Sequence, residues 1–429
     1  MPGRTPTHPL ALAAGVLAGV VAACGPMAPS PLPSPPAATA TTTPNGTASA
    51  VPSGGPTDAA AIYGLVAVQV EQIRHLQPTA DVAPVVIDRA TLTANLTADF
   101  DAANPASLVV NSQRELIALG LLPAGTSLRQ AVLALQSGQV AGYYSPERNE
   151  LFVVSRAGGI GPTQRLTYAH EFTHQLQDQN FDLARLDLQA PDQGDRSLGR
   201  LALVEGDAVA AQQTWILNLT SQELTQVLAD ALDPSGLAAL NNAAPILRET
   251  SLFPYTAGLG LVQALLDKGG YAAVDAAFAN PPASTEQVVH PEKYLSGEAP
   301  IVVTPAADLA KRLGSGWSEV ARDTLGEEVL LVWLREGGVT PAEAAASAYG
   351  WGGDRIVLYA GPNGATALVI ETAWDTDVDA TEFAVAAQNA IAGLHLNAGV
   401  SHGAGTTTVA IGVGPSPFNI GPLLAALPS

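Results

Sequence analysis

Cysteine is almost missing from this chain: a single one in 429 residues excludes any disulfide within the molecule. Positive charge is scarce as well, with 19 Lys and Arg against 39 Asp and Glu and a formal net charge of −20. Such a surface repels phosphates, so no nucleic acid partner is expected. The acidity does not establish a basic substrate, because it also serves solubility. Long apolar runs are absent. The stretch from Leu10 to Ala23 is interrupted by Gly15 and Gly19 and is too short for a comfortable membrane span. Charge disappears altogether from residues 25–57, where Pro, Ala, Thr, Ser and Gly dominate. Such a segment cannot bury a core, and it reads as a disordered, polyproline-like tether. No internal repeat of clear period runs through the rest.

Histidine is also sparse, at seven residues, which makes the run Tyr168-Ala169-His170-Glu171-Phe172-Thr173-His174-Gln175 informative. On a helix, imidazoles four residues apart share one face, the geometry that two ligands of a single zinc ion need. Glu171 stands about 100° around such a helix from His170, within reach of a water between the ligands without being a ligand itself. Gly161-Pro162-Thr163 breaks the chain just before the run, so Thr163 is expected to cap a helix that begins at Gln164. Leu166, Ala169, Thr173 and Leu176 then recur at helical spacing and give it one apolar side. The plain alternative is a pair of surface histidines.

A zinc hydrolase normally takes three protein ligands and leaves a fourth position open. Ser197 to Trp215 reads as a second helix with Leu198, Leu201, Ala208 and Gln212 on one side, and Glu205 falls on that stripe. A carboxylate there is costly to bury unless it is paired or bound to a metal. A salt bridge to Arg165 or Arg200 is the alternative to metal ligation.

The His-Glu-x-x-His helix followed by Glu205-Gly206-Asp207-Ala208 on a second helix resembles the gluzincin branch of the zincin metallopeptidases. The spacing from His174 to Glu205, 205 − 174 = 31 residues, is within the variety of that group. The resemblance covers roughly residues 140 to 220. It implies an α+β, helix-rich, zincin-like core in which His170, His174 and Glu205 bind Zn2+ and Glu171 is the general base for peptide-bond hydrolysis. One departure stands out. The best-known members place an Asp four residues after the ligand glutamate to orient a histidine, and Val209 occupies that position here. Asp207 or Asp178 could take over, since a ligating imidazole usually hands its other N–H to a carboxylate or carbonyl. A donor for the developing oxyanion is also required, with His290, Tyr255, Tyr294 and Tyr168 as candidates. Gln139–Tyr144 and Leu151–Val154 flank a turn-prone segment and read as a β-hairpin, with Leu151–Val154 either a substrate-binding sheet edge or a core strand. Two other functions use the same residues: a non-catalytic lipoprotein that stores or delivers zinc, and an inactive scaffold.

Arg4 and the apolar stretch after it have the shape of a secretory signal over residues 1–23. Its end, Val21-Ala22-Ala23-Cys24, resembles the lipobox of bacterial lipoproteins, which implies a lipidated Cys24 and an extracytoplasmic, membrane-anchored protein, with release after ordinary cleavage as the alternative. Residues 24–58 then form the tether, 59–300 the metallopeptidase domain and 301–429 a C-terminal α+β subdomain. Helices are expected at Ala60–Leu76, Ser112–Leu119, Leu128–Gln136, Leu259–Leu266, Tyr271–Ala279 and Ala380–Ala392. Arg355–Tyr359 and Ala365–Glu371 around Gly361-Pro362-Asn363-Gly364 signal a hairpin, and Thr406–Val413 a strand. Trp351-Gly352-Gly353-Asp354 reads as a tight turn packed under an aromatic ring. Cleavage specificity depends on side chains from distant segments and is not encoded in any local pattern.

Overall fold

The computed structural model describes residues 58–146, 148–154, 159–232, 234–413 and 420–424. The expected signal segment, Cys24 and nearly all of the tether lie outside the described residues. No helix among the described residues is long and apolar enough to cross a membrane. The chain is mixed α+β, with two small sheets among many helices.

The first sheet has the order β1-β3-β2, from Pro84–Ile87, Glu150–Val154 and Gly142–Ser145. β3 runs parallel to β1 and antiparallel to β2, so Leu151–Val154 is the central strand and not a sheet edge. The reason is the short Pro-Val-Val-Ile segment of β1, which covers one side of β3. The consecutive apolar residues of β3 fit this position, since both faces of the strand are buried. Among the described residues, β2 is the strand with one side unpaired on the flank nearer the histidines.

The helix Pro162–Phe181 carries the histidine motif, and its start differs from expectation. Gly161 is the N-cap residue and Pro162 opens the first turn, where its missing N–H costs nothing. The Gly161 N–H donates to the Gln164 side chain at 3.0 Å. Thr163, expected to cap, instead donates its hydroxyl to Asp230 at 2.5 Å. From Thr167 to Gln177 the helix is buried on every side, so its apolar stripe is only part of the surface it hides.

The helix Gly194–Trp215 packs against this one and against the long helix Pro245–Gly269. The second crossing is a backbone contact. A Cβ on Gly206 would lie 2.3 Å from the Gly258 carbonyl, and one on Gly258 would lie 2.1 Å from the Ala202 oxygen. Glycine at both positions lets the helices approach this closely.

The second sheet has the order β4-β5-β6-β8-β7, from Ser318–Asp323, Trp351–Ala360, Thr366–Trp374, Thr406–Val413 and Ala398–Gly403, with every neighbouring pair antiparallel. Leu330, Trp333 and Phe383, from helices Gly326–Glu336 and Asp377–Gly393, cover one face of it. Leu116, Leu119, Leu128, Ile246 and Leu247 join the same cluster, so one core runs continuously across residue 300. The hairpin around Pro362 is present, with Asn363 and Gly364 at positive φ. Trp351–Asp354 is not a tight turn. It opens β5 with a bulge, and a Cβ on Gly353 would lie 2.1 Å from the Ile301 carbonyl oxygen, so the glycine serves a close approach of two backbones.

Candidate metal centre

The fold brings the three expected ligands to one point. His170 Nε2 and His174 Nε2 are 3.0 Å apart, and Glu205 Oε2 lies 3.2 Å from the first and 3.3 Å from the second. All three side chains are buried, as is Glu171. Neither alternative partner for Glu205 competes: Arg165 pairs with Glu223, and Arg200 donates to the Leu186 carbonyl at 2.6 Å. The donor set therefore fits zinc in kind and in spacing. Ligands at about 2.0–2.1 Å from a tetrahedral ion stand about 3.3 Å from one another, close to the three separations here.

Electrostatics describe the centre without a cation. Burial opposes charge on His174, but the Glu205 carboxylate outweighs it and holds the imidazole's pKa up at about 9. Burial would likewise raise Glu205, but the His174 charge and the hydrogen bonds from both histidines bring it down to about 2. His170 is pushed below its ordinary value, chiefly by burial. A single proton on His174 thus neutralises the buried carboxylate in this state. Glu171 is different. Burial lifts it to about 8 against the pull of the His174 charge, and neither carboxylate oxygen has a fully formed hydrogen bond among the described residues.

The residues around the ligands were only partly expected. His174 Nδ1 meets Gln177 Oε1 at 2.8 Å, and Gln177 Nε2 donates to the Val204 carbonyl at 2.9 Å and to Asp207 at 2.8 Å. Asp207 thus reaches His174 through an intervening amide. Asp178 is not involved: it accepts from the Tyr144 hydroxyl at 2.9 Å and from the Leu183 N–H at 3.2 Å. Gln177 lies three residues after His174 on the same helix face, a spacing that could have drawn notice to it. Nothing in the sequence pointed to Arg74, whose guanidinium meets Asp207 at 2.7 Å.

Of the four donor candidates, Tyr255 lies beside the centre, its ring centroid 6.2 Å from that of His170. Tyr168 packs against Tyr63 and Phe172 in the core, and Tyr294 donates its hydroxyl to the Asn280 carbonyl at 2.8 Å. His290 is held by Glu327 at 3.0 Å and stacks edge-on against Tyr349. On the opposite side, β2 presses on the motif helix: a Cβ on Gly142 would lie 3.4 Å from Glu171 Cγ. A second group of acids, Glu286, Glu298 and Asp375, closes on the Lys293 ammonium, which stands where an ion would have to sit.

Residues 311–418 match a family model described as a domain of unknown function (DUF8575). That segment contains the second sheet and none of His170, Glu171, His174 or Glu205. No curated protein and no solved structure matches the chain.

Proposed function

We propose that this protein is a zinc-dependent metallopeptidase with a gluzincin-type centre, a zincin-like core and its site of action outside the cytoplasm, anchored through a lipidated Cys24. One observation carries the reading: three ligand atoms of the right kind converge within 3.0–3.3 Å, beside a buried glutamate that hydrogen-bonds to none of them. Zinc, when bound, supplies Lewis acidity that activates water near neutral pH and polarises a peptide carbonyl.

His170, His174 and Glu205 would hold the ion, and their complete burial strengthens each charge interaction they make. Glu171 is next to His170 in sequence and shares its helix, so it is positioned to take a proton from the attacking water and pass it to the leaving amine. Tyr255, on the opposite helix, is positioned to donate to the negative charge that develops on the carbonyl oxygen.

Zinc storage or delivery is the second reading, and the full burial of all four side chains favours it. A holding site, however, has no use for a second buried carboxylate beside the ligands. Zinc titration of the wild type, His170→Ala, His174→Ala and Glu205→Ala, together with cleavage of casein and a peptide library, separates the readings. The peptidase reading requires one zinc per chain and cleavage in the wild type, with both lost in the variants. Stoichiometric zinc without cleavage supports storage, and no zinc in any form removes both.

A further inference from the structure

We propose that Arg74 is a positioning residue of the metal centre: through Asp207 and Gln177 it fixes His174 in the tautomer that presents its Nε2 lone pair to a divalent cation. The inference rests on the zinc reading of His170, His174 and Glu205.

Arg74 ends the helix Ala59–Arg74 and is fully buried 100 residues before His174 (174 − 74). Its Nε meets the Asp207 carboxylate at 2.7 Å and its Nη2 meets Asp275 at 2.7 Å, while the Tyr271 ring lies 4.6 Å beneath the guanidinium. A guanidinium is a donor only, so the Asp207 side chain is engaged as an acceptor. Gln177 faces two acceptors on one side, the Asp207 carboxylate at 2.8 Å and the Val204 carbonyl at 2.9 Å. Its amide nitrogen has to stand there, since a turned amide would set Oε1 against both. Oε1 is left facing His174 Nδ1 at 2.8 Å, and an acceptor at that position requires Nδ1–H. In the neutral ring the lone pair then sits on Nε2, the atom that lies 3.0 Å from His170 Nε2 and 3.3 Å from Glu205 Oε2.

The donations therefore converge on Asp207: Arg74 donates to it from one side, and from the other Gln177 donates to it while accepting from His174 Nδ1–H. It also accounts for Val209, since the acid that would sit directly on a histidine is replaced by an acid acting through an amide. His170 has no such chain: its Nδ1 is buried without a hydrogen-bond partner among the described residues. Asp207→Asn is the gentlest way to break the order. An asparagine amide can donate to Gln177 Oε1, which lets the glutamine turn and offer its N–H to Nδ1, the wrong polarity for a ligand.

The test is zinc affinity of the full chain by chelator competition for wild type, Arg74→Met, Arg74→Lys and Asp207→Asn, with Lys293→Met as a destabilised control remote from the centre. Loss of the relay should weaken zinc binding about 10- to 100-fold in Arg74→Met and Asp207→Asn. Arg74→Lys should recover part of the loss, and the control should bind like wild type. Long-range 15N–1H spectra of histidine-labelled, zinc-loaded wild type should show a proton on His174 Nδ1. Arg74→Met leaves the buried Asp207 carboxylate without its cation; if it does not fold, the isosteric Asp207→Asn carries the test. Wild-type affinity in the relay variants, affinity loss of the same size in Lys293→Met, or a proton on His174 Nε2 would overturn the relay while leaving the zinc reading intact. A wild type that binds no zinc would overturn the reading beneath it.

Discussion

Replacing Gly258 with alanine sets two physical effects of opposite sign against each other. Alanine is the better helix former, and at an exposed position the exchange would stabilise by about 1 kcal/mol. Gly258, however, lies where two helix backbones touch. Its new Cβ would stand 2.1 Å from the Ala202 carbonyl oxygen, and ordinary contact begins at 3.4 Å, so the helices must part by 3.4 − 2.1 = 1.3 Å at that point. The atoms it would meet belong to the Ala202 backbone and cannot rotate away. Overpacking of this kind costs about 1–3 kcal/mol, and opening a contact between buried helices adds to it, so the net effect should be a destabilisation of about 2 kcal/mol. The same parting moves the helix that carries Tyr255 away from the one that carries Glu205. Denaturant unfolding of the metal-free protein reads the first effect and zinc affinity the second. A Gly258→Ala protein as stable as wild type or more so, with unchanged zinc affinity, would refute the close crossing and the account of how Glu205 and Tyr255 are brought together.

Zinc binding should strengthen as pH rises from 6 toward 9, because the ion has to displace the proton that His174 retains to about 9, and a titration at several pH values with proton release measured in parallel checks this. In the metal-free protein the His174–Glu205 pair contributes stability that is fully present between the ordinary carboxylate and histidine values and is lost as pH rises through about 9, so the unfolding midpoint should fall from the ordinary histidine value toward 9. Tyr255→Phe should keep wild-type zinc affinity and lower kcat about 10²- to 10³-fold with KM little changed; unchanged kcat assigns the oxyanion donor elsewhere.

The candidate ligands were legible because helical periodicity is local: His170 and His174 are one turn apart, and Glu205 sits on an apolar stripe where a carboxylate has to be paired or bound to a metal. The same holds for the Pro362 hairpin and the strand Thr406–Val413, whose signals lie within a dozen residues. What could not be read depends on contacts across long separations. β3 becomes a central strand because Pro84–Ile87, more than sixty residues earlier, pairs with it, and four residues carry too little pattern to announce a strand. The Gln164 side chain took the capping role from Thr163 because Pro162 already fits the first turn. Arg74 lies within the helix expected at Ala60–Leu76 with nothing in the pattern to mark it, and only the fold sets it against Asp207 and Asp275. His290 sits in a polar stretch typical of functional residues, yet its partner Glu327 comes from a helix 37 positions on.

The central claim is that His170, His174 and Glu205 form a zinc centre whose base is Glu171, and the most direct test measures zinc content and peptide cleavage on the same preparation of Glu171→Gln. Glu171→Gln should retain one zinc per chain, as in wild type, with cleavage reduced by several orders of magnitude. Cleavage at the wild-type rate, or loss of the zinc together with the activity, would contradict it.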